Sequence, residues 1–296
     1  MARKITITLC LLLSFTILFA QSQDEAYSLF DEGNYHFDES NYEQALSCYL
    51  EAVPLYEKLY GVAHVLTGDL FSLIALTHSR MAEYDSAIEW HQKALEIFLM
   101  ATGKNSQDTA KAYNDLGLAY FNNTEYDNAI KHHQEALKIR RQIFGEQDKT
   151  TADSYYNIGI AHDLNGNYSQ ALVNYSKAFE IRQTLFGNEH HKTLAAQNGI
   201  AIVHYLQGNY EKAIIDWKKI AQIYDNINDI SNLASTYSNM VGALIELESF
   251  DEALSYAEKG LAITTENFGV ASASTAKAYN NVGLCHHRQG NFGQAL

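Results

Sequence analysis

Histidine is the residue type in this chain with the most varied possible chemistry, because imidazole can ligate metals and can titrate near neutral pH. The chain has 12 histidines. Five of them recur at intervals of 42 residues or about twice that: His36, His78, His162, His204 and His286. A metal ligand lies about 2 Å from its ion, whereas stacked helices are about 10 Å apart. We therefore predict that these rings pack between helices, and that the chain holds no metal and no cofactor.

A second recurrent set of polar residues is rich in asparagine, whose amide carries both a hydrogen-bond donor and an acceptor. Such residues can bind the main chain of an extended peptide with little regard to its side chains. About five net hydrogen bonds contribute roughly 5 kcal/mol before the cost of ordering the peptide, which predicts micromolar affinity. The alternative is that they are merely tolerated exposed polar residues. The predicted peptide-binding residues are Asn114, Tyr156, Asn157, Asn198, Tyr205, Asn239, Asn280 and Asn281.

Motifs of common enzyme classes are missing from the sequence. It contains no glycine-rich phosphate loop, no paired histidines at metalloprotease spacing and no nucleophile elbow, so we predict that the chain is not an enzyme. Basic side chains that could grip a C-terminal carboxylate are scattered. Arg80, Lys111 and Lys277 do not fall on adjacent units of the repeat described below, and we do not expect that mode of binding.

The charge of the chain excludes two classes of partner. The formal net charge is −14, from 21 basic and 35 acidic residues. Without residues 1–20, which contain Arg3 and Lys4 and no acidic residue, it is 19 − 35 = −16. Phosphate backbones and anionic lipid surfaces repel a protein of this charge, so we expect a protein or peptide partner and no nucleic acid.

Residues 1–20 are typical of a signal peptide. Arg3 and Lys4 are followed by an apolar run from Ile5 to Phe19, and Ala20 is a suitable last residue before cleavage. The run is short for a membrane span, which needs about 20 residues, although an uncleaved anchor is the alternative. We expect no membrane span in the mature part, and a periplasmic, cell-envelope or secreted location.

The strongest pattern is an internal repeat, in which an aromatic residue is followed three positions later by alanine and then by an aliphatic residue. The seven alanines are separated by 42, 42, 42, 42, 40 and 42 residues: Ala45, Ala87, Ala129, Ala171, Ala213, Ala253 and Ala295. Sixteen residues after five of them stands a glycine suited to ending a helix: Gly61, Gly103, Gly145, Gly187 and Gly269.

Each repeat contains two helical patterns, which predicts an all-α chain. In the third repeat, Tyr113, Leu116 and Tyr120 form the apolar stripe of a first helix, and the stripe of a second helix begins at Tyr126. We expect Asn167 and Asn209 to cap second helices. Small residues on the first helices are expected to face the alanine column and let the helices approach closely: Ala75, Gly117, Gly159, Ala201 and Gly283.

This unit resembles the tetratricopeptide repeat (TPR), in its 42-residue kinesin light chain and nephrocystin-like variety. In the third repeat the residues that carry the resemblance are Tyr113, Leu116, Gly117, Tyr120, Ala129, His133 and Ala136. The resemblance implies a right-handed α-solenoid whose first helices line a concave face, where the kinesin light chain family also carries asparagines. We expect a signal at 1–20 and a solenoid at 21–296, with units at about 26–67, 68–109, 110–151, 152–193, 194–233, 234–275 and 276–296.

The predicted function is that of an exported TPR scaffold or adaptor for protein–protein interaction, which binds extended peptides in a concave, asparagine-lined groove. The second helix of the seventh unit has barely begun at residue 296, so a downstream domain is expected. The alternative is therefore a sensing or regulatory array, cut after residue 296, of a larger signalling protein. By resemblance, that protein is a caspase-like CHAT peptidase, a sensor histidine kinase or a helix-turn-helix regulator.

Overall fold

The computed structural model describes residues 21–295, in which every regular element is an α-helix. The predicted signal at residues 1–20 lies outside the described residues. The helices are α1 (21–38), α2 (Tyr42–Tyr60), α3 (Val65–Arg80), α4 (Tyr84–Ala101), α5 (Gln107–Asn122), α6 (Tyr126–Phe144), α7 (Lys149–Leu164), α8 (Tyr168–Phe186), α9 (His191–Leu206), α10 (Tyr210–Asn226), α11 (Ile230–Glu246), α12 (Phe250–Phe268) and α13 (Ala273–Arg288). None of these described helices is long and apolar enough to cross a bilayer.

The helices form two compact bodies, an N-terminal body that ends at Gly145 and a C-terminal body that begins at Glu146. Odd-numbered helices are the first helices of the repeats, and even-numbered helices are the second. Within the bodies, first helices of neighbouring repeats touch in the pairs α3 with α5, α7 with α9, and α11 with α13. No pair of second helices touches as extensively among residues 21–295. Each body therefore curves with its first helices on the inner side, which we call its inner face.

The core of each repeat is organised by the alanine of the recurrent motif. The alanines on the six described second helices are fully buried: Ala45, Ala87, Ala129, Ala171, Ala213 and Ala253. Four residues after the first five of these, the second helix carries an aromatic ring: Tyr49, His91, His133, Tyr175 and Trp217. A Cβ atom on Gly117 would lie 2.7 Å from the His133 ring, and one on Gly159 would lie 2.8 Å from the Tyr175 ring. The prediction that these glycines face the alanine column is therefore wrong, because they make room for the rings.

This close approach predicts opposite effects at two helical glycines. Gly159→Ala should lower the free energy of unfolding by about 1–3 kcal/mol, because the new methyl group overlaps the buried Tyr175 ring. Gly242→Ala is the matched control, since the nearest atom to its Cβ is Tyr205 Oη at 3.9 Å. The gain in helix propensity should raise its stability by up to about 1 kcal/mol. Urea unfolding followed by circular dichroism measures both, and equal effects would contradict the packing described.

The turns after the second helices follow the predicted glycine column. All five glycines have φ between 80° and 98°, in the left-handed region: Gly61, Gly103, Gly145, Gly187 and Gly269. The repeat that lacks this glycine ends α10 at Asn226 and turns through Asn228, at φ 56°. The predicted side-chain caps at Asn167 and Asn209 are wrong, since neither makes a cap hydrogen bond. Their ψ values near 60° are far from the extended conformation in which a capping side chain reaches the helix.

Candidate functional site

The inner face of the N-terminal body contains a groove of about 650 Å³. Its apolar lining comes from first helices, with Phe30 on α1, Leu73 and Leu76 on α3, and Leu118 on α5. Leu118 is 40% exposed. A concave surface with accessible aliphatic side chains is what an apolar side chain of a bound peptide requires.

Charged side chains of both signs border this apolar lining. Asp69 and Arg80 on α3 and Lys111 and Asp115 on α5 line the same groove, and Lys111 Nζ lies 3.7 Å from Asp115 Oδ2. Burial raises the pKa of Asp69. The prediction that the basic residues do not fall on adjacent repeats is wrong for Arg80 and Lys111. Because two carboxylates accompany them, the groove suits a peptide that carries both charges better than a lone carboxylate.

His91 of the second helix α4 also reaches this groove. It is only 6% exposed, and burial lowers its pKa to about 4. Its ring is therefore neutral at pH 7 and acts there as a hydrogen-bonding and packing group. Asn114, the one predicted peptide-binding residue in this body, is half-buried on α5 and donates from Nδ2 to Asp115 Oδ1 at 3.2 Å. It thus stands directly behind a carboxylate of the groove.

In the C-terminal body, Tyr156 on α7 is fixed by a buried arginine. Arg182 Cζ lies 4.3 Å from the centre of the Tyr156 ring, and Arg182 is 3% exposed. Its guanidinium donates to Asp153 Oδ1 at 2.8 Å and to the Lys192 carbonyl oxygen at 2.9 Å. Lys192 Nζ also donates to Asp153 Oδ2 at 2.9 Å. The network holds Tyr156 in a single position on its helix.

Asn198 and Tyr205 on α9 have a structural role at the same time as an inner-face position. Asn198 Oδ1 accepts a hydrogen bond of 2.9 Å from Trp217 Nε1. The Tyr205 ring packs 6.1 Å from the Trp217 ring and 5.4 Å from the Tyr210 ring. The carbonyl oxygen of Asn198 is therefore used within the protein, which leaves its amide N–H groups to face a ligand.

The remaining predicted residues differ in their surroundings. Asn157 and Asn239 are half-buried on α7 and α11, and Asn280 is exposed on α13. Asn281 Nδ2 donates to Ser238 Oγ at 2.9 Å. This last contact borders a small cavity of about 60 Å³ between α11, α12 and α13, where Ala257 occupies the place of the inserted ring. A polar cavity of that size has room for a few water molecules.

The asparagines occupy two neighbouring helix positions rather than a single row. Asn114, Asn198 and Asn280 stand 15 residues before the alanine of their repeat. The others stand 14 residues before it: Asn157, Asn239 and Asn281. Side chains at adjacent helix positions point about 100° apart, so the two sets address different parts of the inner face. The asparagine groove stays a prediction.

Sequence reasoning missed the aliphatic residues of the groove. Leu76 and Leu118 stand 11 residues before the alanine of their repeat, and aliphatic residues fill the same place in three further repeats: Ile160, Ile202 and Leu284. This column is a signal that could have found the groove. It was obscured because an aliphatic residue on a helix is ordinarily assigned to the core.

Solved structures of other helical-repeat proteins share this fold. The TPR-like repeats of a kinesin light chain-type protein from Podosopora anserina are 16% identical, with TM-score 0.61 over 67% of this chain and 95% of that one. A signal-transduction ATPase with a TPR sensor from Pyrococcus horikoshii is 15% identical, with TM-score 0.72 over 94% and 42%. A Rap protein in complex with Competence and Sporulation Factor is 15% identical, with TM-score 0.55 over 94% and 79%. At these identities the likeness shows the fold alone.

The family itself is shown by the sequence. A family model described as tetratricopeptide repeat matches residues 24–100, 108–183, 164–225 and 232–296, which together span nearly all of the described chain. No curated protein sequence matches the chain. The 42-residue spacing, the helix pairs and this match agree, and the chain belongs to the tetratricopeptide-repeat family.

Proposed function

We propose that this chain is an exported, non-enzymatic scaffold that binds extended peptide segments of partner proteins on the inner faces of its two bodies. The groove of the N-terminal body carries the proposal, since it combines an apolar lining with charges of both signs. TPR arrays are scaffolds suited to such interactions, and the Rap protein of similar fold was solved with a bound factor. The acidic net charge of −14 favours neutral or basic peptides.

The N-terminal groove can be tested with peptides selected from a random library displayed on phage. We expect Leu76→Ser with Leu118→Ser to weaken binding of a selected peptide at least tenfold, because two aliphatic contacts of the groove are lost. Val173→Ser is the matched control, since Val173 is a 57% exposed aliphatic residue on the second helix α8. Calorimetric titration measures the affinities. Equal affinity of both variants for every selected peptide would contradict the groove.

The asparagine contribution is tested separately, in the C-terminal body. Asn239→Ala with Asn280→Ala avoids the structural bonds of Asn198 and Asn281, and should weaken peptides that bind this body by about tenfold. Asn267→Ala on the second helix α12 is the control. If the two variants bind equally, the asparagines are tolerated polar residues and the groove alone remains.

A second candidate function is that of a sensing array within a larger signalling protein. The similar P. horikoshii protein, of which this chain covers 42%, is a signal-transduction ATPase with a TPR sensor. The mass of the protein purified from its native source tests this alternative. A mass far above 33.3 kDa would favour a sensor attached to another domain, and a mass near or below it would favour a free adaptor.

A further inference from the structure

Three side chains with metal-ligating atoms meet in the first repeat. Glu32 and His36 lie on α1, and Cys48 lies on α2. Their carboxylate oxygen, ring nitrogen and sulfur atoms all lie within 4.8 Å of one another, and His36 Nε2 is 3.9 Å from Glu32 Oε1. Glu32 and His36 are four residues apart and so share one face of α1.

The contacts of these residues leave their ligand atoms available. The side chain of Glu32 is 57% exposed and that of His36 is 24% exposed, while Cys48 is half-buried and free of any disulfide. No hydrogen bond within residues 21–295 occupies the His36 ring or the Cys48 sulfur. The cluster is therefore accessible from solvent on the side of Glu32 and closed by protein on the side of the other two.

The combination is particular to the first repeat. Histidine recurs at the position of His36, but its neighbours change from repeat to repeat. The corresponding triplets in the next five repeats are Ile74–His78–Trp90, Leu116–Tyr120–His132, Ile158–His162–Asn174, Ile200–His204–Asp216 and Met240–Leu244–Tyr256. The repeat pattern explains the histidine, and it explains neither the carboxylate nor the thiol beside it.

We propose that Glu32, His36 and Cys48 form a binding site for a divalent transition metal of the Zn²⁺ class, which links α1 to α2. Carboxylate, imidazole and thiolate are the three ligand types that Zn²⁺ takes, at about 2.0–2.3 Å. In a tetrahedral site such ligand atoms are roughly 3.3–3.8 Å apart, so side-chain rotations of about 1 Å complete the geometry. The exposed side leaves the fourth position to water or to a ligand from a partner. The negative net charge of the chain favours cations generally.

The site is tested with the purified, untagged chain, reduced by a phosphine and titrated with Co²⁺. We expect one equivalent to bind, with the near-ultraviolet charge-transfer band of a Co²⁺–thiolate bond and the visible bands of four-coordinate Co²⁺, and Zn²⁺ should displace it. Cys48→Ser should abolish the charge-transfer band. His36→Gln and Glu32→Gln should each weaken Co²⁺ binding at least tenfold.

Two matched controls make the test specific. Cys285→Ser removes the other described cysteine, and His78→Gln removes the equivalent histidine of the next repeat, where Trp90 stands in place of Cys48. Both should bind Co²⁺ as the unaltered chain does, and circular dichroism should show equal helix content in all variants. Absence of saturable Co²⁺ uptake by the unaltered folded chain would overturn the proposal. So would a thiolate band that survives in Cys48→Ser or disappears in Cys285→Ser.

Discussion

Trp217→Ala should lower the free energy of unfolding of the C-terminal body by about 3–5 kcal/mol. Trp217 is 2% exposed and is among the largest fully buried side chains of the described residues. It belongs to a cluster with Ile220 and Met240 and inserts its ring beneath α9. Removal of the indole leaves a cavity and also removes the hydrogen-bond partner of Asn198. Urea unfolding followed by circular dichroism measures the loss.

Trp217→Phe separates the two contributions. The smaller ring retains most of the buried apolar surface and loses the bond to Asn198, so we expect a loss of about 1–2 kcal/mol. It also leaves Trp90 as the one tryptophan of the chain, which reports on the N-terminal body by fluorescence. If Trp217→Ala cost no more than Trp217→Phe, the inserted ring would not be a core element of its repeat.

Asp153→Ala should lower stability by a similar amount, about 3–5 kcal/mol, because it leaves the Arg182 guanidinium buried without a carboxylate. The Arg182 side chain is 4% exposed, and its Nη2 atom lies 2.8 Å from Asp153 Oδ1. Burial alone would raise the pKa of Asp153, but the hydrogen bonds from Lys192 and Arg182 lower it overall. A carboxylate with a lowered pKa stabilises the fold above about pH 4, and its contribution is lost as the pH falls through the folded-state pKa.

Two further variants show whether the cost arises from the buried charge. Asp153→Ala with Arg182→Met should regain most of the lost stability, because an apolar side chain replaces the pair. The corresponding position is aromatic in three other repeats: Tyr56, Phe98 and Tyr224. Lys192→Ala should cost less than about 1 kcal/mol, since Lys192 is 40% exposed. A double variant as unstable as Asp153→Ala would assign the cost to packing around Tyr156.

The architecture was predictable because it depends on local spacing that repeats. Each alanine, each terminal glycine and each aromatic recurs at fixed distances, so six weak signals reinforce one another. The functional surface depends on pairs that only the fold brings together. Arg80 and Lys111 are far apart in sequence and line one groove, and Asn198 meets Trp217 across two helices.

The same limit explains the metal-ligand cluster. The sequence shows Glu32 and His36 at helical spacing, but an exposed acidic residue next to a histidine is common on helices. Cys48 joins them only through the packing of α2 against α1. The histidine column was rightly expected to recur with the repeat, yet its chemistry depends on neighbours that differ at every repeat.

The account rests centrally on peptide binding at the inner face, and hydroxyl-radical footprinting of a complex with a library-selected peptide tests this most directly. The method reports the solvent exposure of individual side chains. We predict protection of Leu76 and Leu118 for peptides of the N-terminal body and of Tyr156 for peptides of the C-terminal body, with Met100 and Val173 on second helices unchanged. Protection of Met100 or Val173, with the inner-face residues unchanged, would contradict the account and place the binding surface on the second helices.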